Sequence, residues 1–197
     1  ALFFIIIVCT PFAWHLMASH QFKDYSESIF AITIFSSNIL FWLESGYFEP
    51  DGMYKPFLHT WSLSLEEQFY LFCPVIFIIF WKLRTKILLI IFVILFIISL
   101  SSMELIRIDS QDLSFYFILT RMWELIAGVI IALTIKDYDI SKFSKNILSL
   151  TGISLIIFSI FYFSDDTPFP SLLTLLPVLG TALIIYFCNE DTFIYKI

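Results

Sequence analysis

Charge is what this sequence has least of. Only 14% of its 197 residues are Asp, Glu, Lys or Arg, against about 25% in a typical soluble domain. The 17 acidic and 11 basic residues are clustered between long uncharged runs, so a water-soluble domain is excluded. Basic charge is scarcest. The net charge is -6, and no basic cluster exists beyond Lys82, Arg84 and Lys86; phosphate would be repelled, which excludes a nucleic-acid partner. The three cysteines, Cys9, Cys73 and Cys188, are odd in number, far apart, and inside or beside apolar runs. They give neither a disulfide framework nor a zinc spacing, and read as small hydrophobes. His15 and His20 lack a Cys or carboxylate partner at ligand spacing, so no metal site is expected. Gly-rich phosphate loops and G-x-S-x-G elbows are also missing. Ala1 opens directly onto an apolar run with no basic segment before it, which does not fit a signal peptide and reads as the start of a fragment.

What fills the chain instead is hydrocarbon: 59% hydrophobic residues, 24 of them Phe, and a mean hydropathy of +0.91. Residues 87–103, 147–164 and 171–189 contain no Asp, Glu, Lys or Arg. Each is near the roughly 20 residues a helix needs to cross a bilayer. Seven hydrophobic helices are predicted, near 1–17, 29–43, 65–81, 87–103, 113–135, 147–164 and 171–188. The fold class is all-α, a polytopic transmembrane bundle of about six to seven hydrophobic helices forming one membrane domain over 1–197. Trp14, Trp42, Trp61 and Trp81 fall near segment ends, where indoles suit the headgroup layer; Trp123 does not.

The loops 82–86 and 136–145 carry three basic residues each, 104–112 carries one and 165–170 none. The basic loops therefore face the cytoplasm, and 104–112, 165–170 and 44–60 face outside. Segment 29–43 is short and carries Ser36, Ser37 and Asn38, so it either spans or re-enters. Within 44–52, a turn-rich stretch, Tyr47 and Phe48 either contact a sugar or belong to a connector.

Some polar residues are not explained by this composition. H-T-W-S-L-S-L-E-E-Q-F-Y over 59–70 runs straight into an apolar helix ending at Trp81. Phe69 to Trp81 is too short to cross, so a spanning helix must draw Glu66, Glu67 and Gln68 toward the membrane, at about 2.5–3.5 kcal/mol per carboxylate at depth. Ser64 and Glu67 match a capping box. That leaves Glu66, on a stripe with Tyr70 and Cys73 expected to point into the bundle, as an active-site acid or a solvated helix end. His59 is a base or a residue of a wet loop. The second anomaly is Arg121-Met-Trp-Glu124, with apolar residues on both sides. At i and i+3 the charges share a face and can pair, either as helix glue or as part of a site, since Arg has five donors to satisfy. Gly128 and Ala132 have the small-xxx-small spacing of a close helix contact.

These residues bring a family into view. H-T-W-S-L-S-L-E-E-Q-F-Y-L over 59–71, followed by Pro74, resembles the W-S-L-S-x-E-E-Q-F-Y-L element of the membrane acyltransferase 3 family. S-S-N-I-L-F-W-L-E-S-G-Y-F over 36–48 resembles its F-x-S-N-x-x-F-W-x-x-x-x-Y-F stretch. R-M-W-E-L-I-A-G over 121–128 is similar to its R-x-W-E-L-x-x-G helix. T-P-F-P-S over 167–171 and L-P-V-L-G-T-A over 176–182 are similar to its later loop and helix. The pattern looks most like the O-acetyltransferase subgroup in which an extracytoplasmic SGNH-type domain follows. The family signature, a basic residue with a His eleven positions later in its first membrane helix, is absent: eleven before His15, His20 and His59 stand Phe4, Cys9 and Phe48. The run from Ala1 resembles the second helix, so the expectation is a partial domain, inactive alone, lacking the first helix and the C-terminal part.

The resemblance implies transfer of an acyl group, usually acetyl from acetyl-CoA, to a hydroxyl of an envelope glycan such as O-antigen, by a multi-pass protein of the bacterial inner membrane. Acyl-CoA, a carbohydrate acceptor and the bilayer are the partners, and no bound cofactor is expected. Glu66, Arg121 and Glu124 are the catalytic candidates, placed around a narrow polar path in the bundle interior. His59, Ser62, Glu67, Gln68, Tyr70 and Trp123 are the substrate-binding candidates. A lipid or glycan transporter, with the same charges lining a route, is the competing reading.

Overall fold

A computed structural model describes residues 2–44, 55, 57–80, 82–135, 140–164, 167–190 and 192–196. Nine α-helices are seen among them, and no strand: α1 (Leu2–Leu16), α2 (Ser19–Thr33), α3 (Ser37–Glu44), α4 (Thr60–Phe80), α5 (Thr85–Asp109), α6 (Gln111–Tyr116), α7 (Ile118–Thr134), α8 (Lys142–Tyr162) and α9 (Leu175–Phe187). By length and composition α4, α5, the stretch Gln111–Thr134 and α8 are able to cross a membrane, and Leu2–Leu16 and Leu172–Phe187 are shorter apolar helices. The expected single helix 113–135 is α6 and α7, interrupted at Phe117, where the Thr120 hydroxyl donates to the Ser114 carbonyl. The all-helical membrane class expected from hydropathy is therefore what forms. Two compact units make up the chain, Ala1–Val75 with Tyr116–Ile118, and Ile76–Phe115 with Leu119–Ile197.

In the first unit the expected helix 29–43 is corrected to the end of α2, which already starts at Ser19, followed by α3, and the break between them has a local cause. The backbone of Phe35 has φ 54°. The Ser36 N–H bonds the Ala31 carbonyl at 2.8 Å and the Phe35 N–H bonds the Ile32 carbonyl at 3.1 Å, the pairing of a Schellman helix end. Glycine is usual at such a position; a bulky side chain there costs about 1–2 kcal/mol. The reversal delivers Ser37 and Asn38 into the interior, where both are buried.

The second correction concerns the start of α4. It begins at Thr60, after a turn in which the Thr60 N–H bonds the Phe57 carbonyl at 2.8 Å. Glu66, Glu67 and Gln68 therefore lie within the span, as its length requires, and Ser64 and Glu67 do not form a capping box. Ser64 Oγ instead accepts from the Ser37 N–H at 3.2 Å and meets Ser37 Oγ at 2.7 Å.

In the second unit α8 and α9 touch backbone to backbone. A Cβ added to Gly152 would lie 2.6 Å from the Gly180 carbonyl oxygen, and one added to Gly180 would lie 2.7 Å from that of Gly152. Gly128 makes no such contact: a Cβ there would meet nothing within 4 Å. The close approach expected at Gly128 and Ala132 is thus made by other glycines. The segment with Tyr47 and Phe48, along with Trp81, Lys136 and Asp165, lies outside the described residues.

Candidate functional site

In the first unit, the serine-asparagine and W-S-L-S-L-E-E-Q motifs are joined by one hydrogen-bond network. Ser37 Oγ donates to the Thr60 carbonyl at 3.1 Å. Gln68 Nε2 donates to the Phe35 carbonyl at 2.7 Å and to Asn38 Oδ1 at 3.0 Å. Asn38 Nδ2 donates to the Tyr116 carbonyl at 3.0 Å. Small polar groups satisfied against a neighbouring helix serve contact in a membrane protein. Gln68 thus holds the strained Phe35 turn and Asn38 in place.

The remaining candidates of this motif lie elsewhere on α4. Its buried stripe is Thr60, Ser64, Leu65 and Phe69. Glu66 and Glu67 are half-buried, and neither forms a hydrogen bond or ion pair among the described residues. Tyr70 is 55% exposed, so the stripe shared by Glu66 and Tyr70 is not the buried one. His59 is exposed, and Ser62, half-buried, donates to the His59 carbonyl at 3.3 Å.

The second unit holds the other anomaly. Arg121 Nη2 donates to Glu124 Oε2 at 3.1 Å, the side chains being 11% and 28% exposed. Three buried hydroxyls fix the helix that carries them. Ser99 Oγ of α5 donates to the Leu119 carbonyl at 2.6 Å and accepts from the Trp123 N–H at 3.0 Å. It bridges the two groups that an α-helix pairs directly. Thr120 Oγ1 donates to the Ser114 carbonyl at 2.7 Å, and Ser114 Oγ to the Met103 carbonyl at 3.0 Å. Trp123 is fully buried beside Phe96, with ring centroids 5.9 Å apart. Its indole Nε1 has no hydrogen-bond partner among the described residues.

Arg121 and Glu124 line a cleft of about 360 Å³, walled by Ile156, Ile160, Phe163, Phe169 and Val178, with Ser159 and Thr174 on its edge. A second hollow of about 270 Å³ shares Glu124, Pro177 and Val178 and continues past Gly128 to Ile131 and Ile185. One end is ionic and the remainder apolar. Such a lining is complementary to a carbonyl or anionic group on an apolar body, and a guanidinium can stabilise negative charge developing on an oxygen. Gln68 is held by the hydrogen-bond network of the first unit and Trp123 is enclosed beside Phe96. Arg121 and Glu124 sit on a cleft, and Glu66 belongs to the other unit. Phe169 and Phe163 were missed as lining residues; among 24 phenylalanines no spacing singles them out.

The sequence matches the family described as "Acyltransferase domain" over residues 1–194. It is 30% identical over 183 residues to an uncharacterized protein of Haemophilus influenzae, covering 87% of this chain and 75% of that one. It is 30% identical over 164 residues to a peptidoglycan O-acetyltransferase of Listeria monocytogenes, covering 77% of this chain and 26% of that protein. A Komagataeibacter xylinus protein designated a membrane-bound transacylase is 25% identical over 182 residues, covering 92% of this chain and 46% of its own length. The chain thus spans less than half of the two relatives whose names carry an activity. No solved structure matches.

Proposed function

The chain belongs to the membrane acyltransferase family, whose activity is transfer of acyl groups other than aminoacyl groups, and from that membership we propose that it serves O-acetylation of a cell-envelope glycan. The donor is acetyl-CoA on the cytoplasmic side of the inner membrane. The acceptor is a glycan hydroxyl outside, of the peptidoglycan or O-antigen class. One observation carries this reading: an arginine–glutamate pair near the middle of the Gln111–Thr134 span lines a cleft large enough for a reacting group. Charge at such depth is costly, which makes an intramembrane ionisable residue a functional-site candidate.

The roles follow from the chemistry. Transfer breaks the donor's thioester bond and forms an ester; the acceptor hydroxyl loses its proton to a base, and the thiolate leaving group takes one up. The carbonyl oxygen gains negative charge on the way, and Arg121 is suited to stabilise it or to hold donor phosphate. Glu124 orients Arg121. The second unit contains no histidine, so an imidazole base comes from elsewhere in the protein. Glu66 orients that base or holds the sugar, with His59, Ser62, Glu67 and Tyr70 as candidates for binding the acceptor.

The test is glycan acetylation in cells making the full-length protein or its Glu66→Gln and Arg121→Gln variants, with membrane insertion followed in parallel. The expected result is loss of acetyl ester from the glycan at unchanged insertion. Normal acetylation by both variants overturns these roles.

A further inference from the structure

Arg121 has company that the acyltransferase reading does not use. Its Cζ lies 4.9 Å from the ring centroid of Phe169 and 5.6 Å from that of Phe115, and the two rings are themselves 5.8 Å apart at 64°. We propose that Phe169, with Phe115 behind it, is a positioning residue: an aromatic clamp that fixes the Arg121 guanidinium at the cleft for the transfer step.

The ring of Phe169 is held by its own backbone, which is tied to α6 and leads into a buried turn. Gln111 Nε2, at the start of α6, donates to the Phe169 carbonyl at 2.9 Å. Beyond it, Pro170, Ser171 and Thr174 are buried, and the Thr174 N–H bonds the Ser171 carbonyl at 3.0 Å. Ser171 Oγ accepts from the Leu173 N–H at 3.3 Å. Phe169 also lines the cleft that Arg121 and Glu124 line, so the loop brings one wall of the cleft and the support of its cation together.

An aromatic face suits this task better than a second carboxylate. Its quadrupole attracts a cation without carrying charge into the membrane, and the attraction grows as water is excluded. It does not compete as a strong acceptor for the guanidinium N–H donors, so these keep their fork geometry toward a carboxylate, phosphate or carbonyl oxygen. This also gives a purpose to T-P-F-P-S over 167–171, a motif that the acyl-transfer chemistry leaves without a role.

The inference rests on Arg121 taking part in transfer, and the experiment separates the two. Full-length protein carrying phenylalanine, monofluoro-, difluoro- or trifluoro-phenylalanine at position 169 is compared in membranes given radiolabelled acetyl-CoA, beside Arg121→Gln. Fluorination leaves ring volume almost unchanged and drains the π face in steps. The log of the rate of labelling of envelope glycan is expected to fall linearly with fluorine number, by roughly ten-fold over the series, the size of a partly desolvated cation–π contact, with the melting temperature lowered by no more than about 5 °C and the amount of inserted protein unchanged. A flat series with Arg121→Gln inactive overturns the clamp and leaves the function of Arg121 standing. Unimpaired labelling by Arg121→Gln overturns both.

Discussion

At the scale of single residues, the Arg121–Glu124 pair must be separated from its own contribution to folding. Removing one partner of a largely buried pair strands the other charge, so Glu124→Gln is expected to lower stability by about 3 kcal/mol, read as a loss in a denaturant titration of the detergent-solubilised protein. Replacing both, as Arg121→Met with Glu124→Leu, removes the stranded charge and is expected to recover most of that stability, yet not glycan acetylation. Recovery of acetylation as well would make the pair mere helix glue. Trp123 next door is a packing residue by its surroundings, since its ring is enclosed and its indole N–H lacks a partner among the described residues. A buried donor without an acceptor is unfavourable. Trp123→Phe relieves that donor but leaves a cavity, so it is expected to lower stability by about 1–2 kcal/mol and to leave acetylation in place; a complete loss of transfer at native stability would return Trp123 to the substrate.

Helices meet here through small groups, and different glycines have opposite requirements. Gly152 and Gly180 each face the other's carbonyl oxygen at less than van der Waals distance from an added Cβ. Either Gly152→Ala or Gly180→Ala must push α8 and α9 apart, with an expected cost of about 1–3 kcal/mol. Gly128→Ala adds a methyl group to open space and is expected to be neutral or to stabilise by up to about 1 kcal/mol through helix propensity. Thermal unfolding of the three variants in one detergent checks the ordering. Ser99→Ala removes the hydroxyl that serves Leu119 and Trp123, and an expected loss of about 1–2 kcal/mol follows from the two hydrogen bonds.

The long apolar helices were legible in the sequence because an uncharged run of sufficient length satisfies its backbone in a bilayer as a helix, whereas the polar first half of α2, Ser19 to Ser28, carries no such run. The break at Phe35 was not legible. The signal available was Ser36, Ser37 and Asn38, which marked the segment as unusual, but no glycine announced the left-handed turn. The start of α4 was misplaced because Ser64 and Glu67 satisfy a local rule that the tertiary bond from Ser64 to Ser37 overrides. Arg121 and Glu124 stand out in the sequence because ions are rare in apolar runs. Their aromatic neighbour was not found, because it arrives from a distant loop and resembles every other phenylalanine.

Across the whole chain, many large apolar side chains among the described residues face outward while small hydroxyls join the buried core. Large apolar side chains such as Phe4, Ile78, Ile98, Ile108 and Phe161 are exposed, while Ser37, Ser99, Ser114, Thr120 and Ser149 are buried. Lipid solvates the former, and helix contacts use the latter. In the second unit, consecutive spanning helices place Lys82, Arg84 and Lys86 at the same end as Lys142 and Lys145, and the 167–170 loop at the other. The excess of lysine and arginine at the first end predicts that it faces the cytoplasm. In a background with Cys9, Cys73 and Cys188 replaced by serine, Ser164→Cys is expected to react with an impermeant maleimide in intact spheroplasts, and Ser141→Cys only after lysis; the reverse pattern would invert the topology.

The most direct measurement uses inside-out membrane vesicles containing the full-length protein and envelope glycan, given acetyl-CoA labelled separately in its acetyl and CoA portions. Group transfer through the membrane predicts acetyl label esterified to glycan inside the vesicle and the CoA label left entirely outside. Entry of both labels together, with none on the glycan, would contradict it and make the protein a carrier of intact molecules.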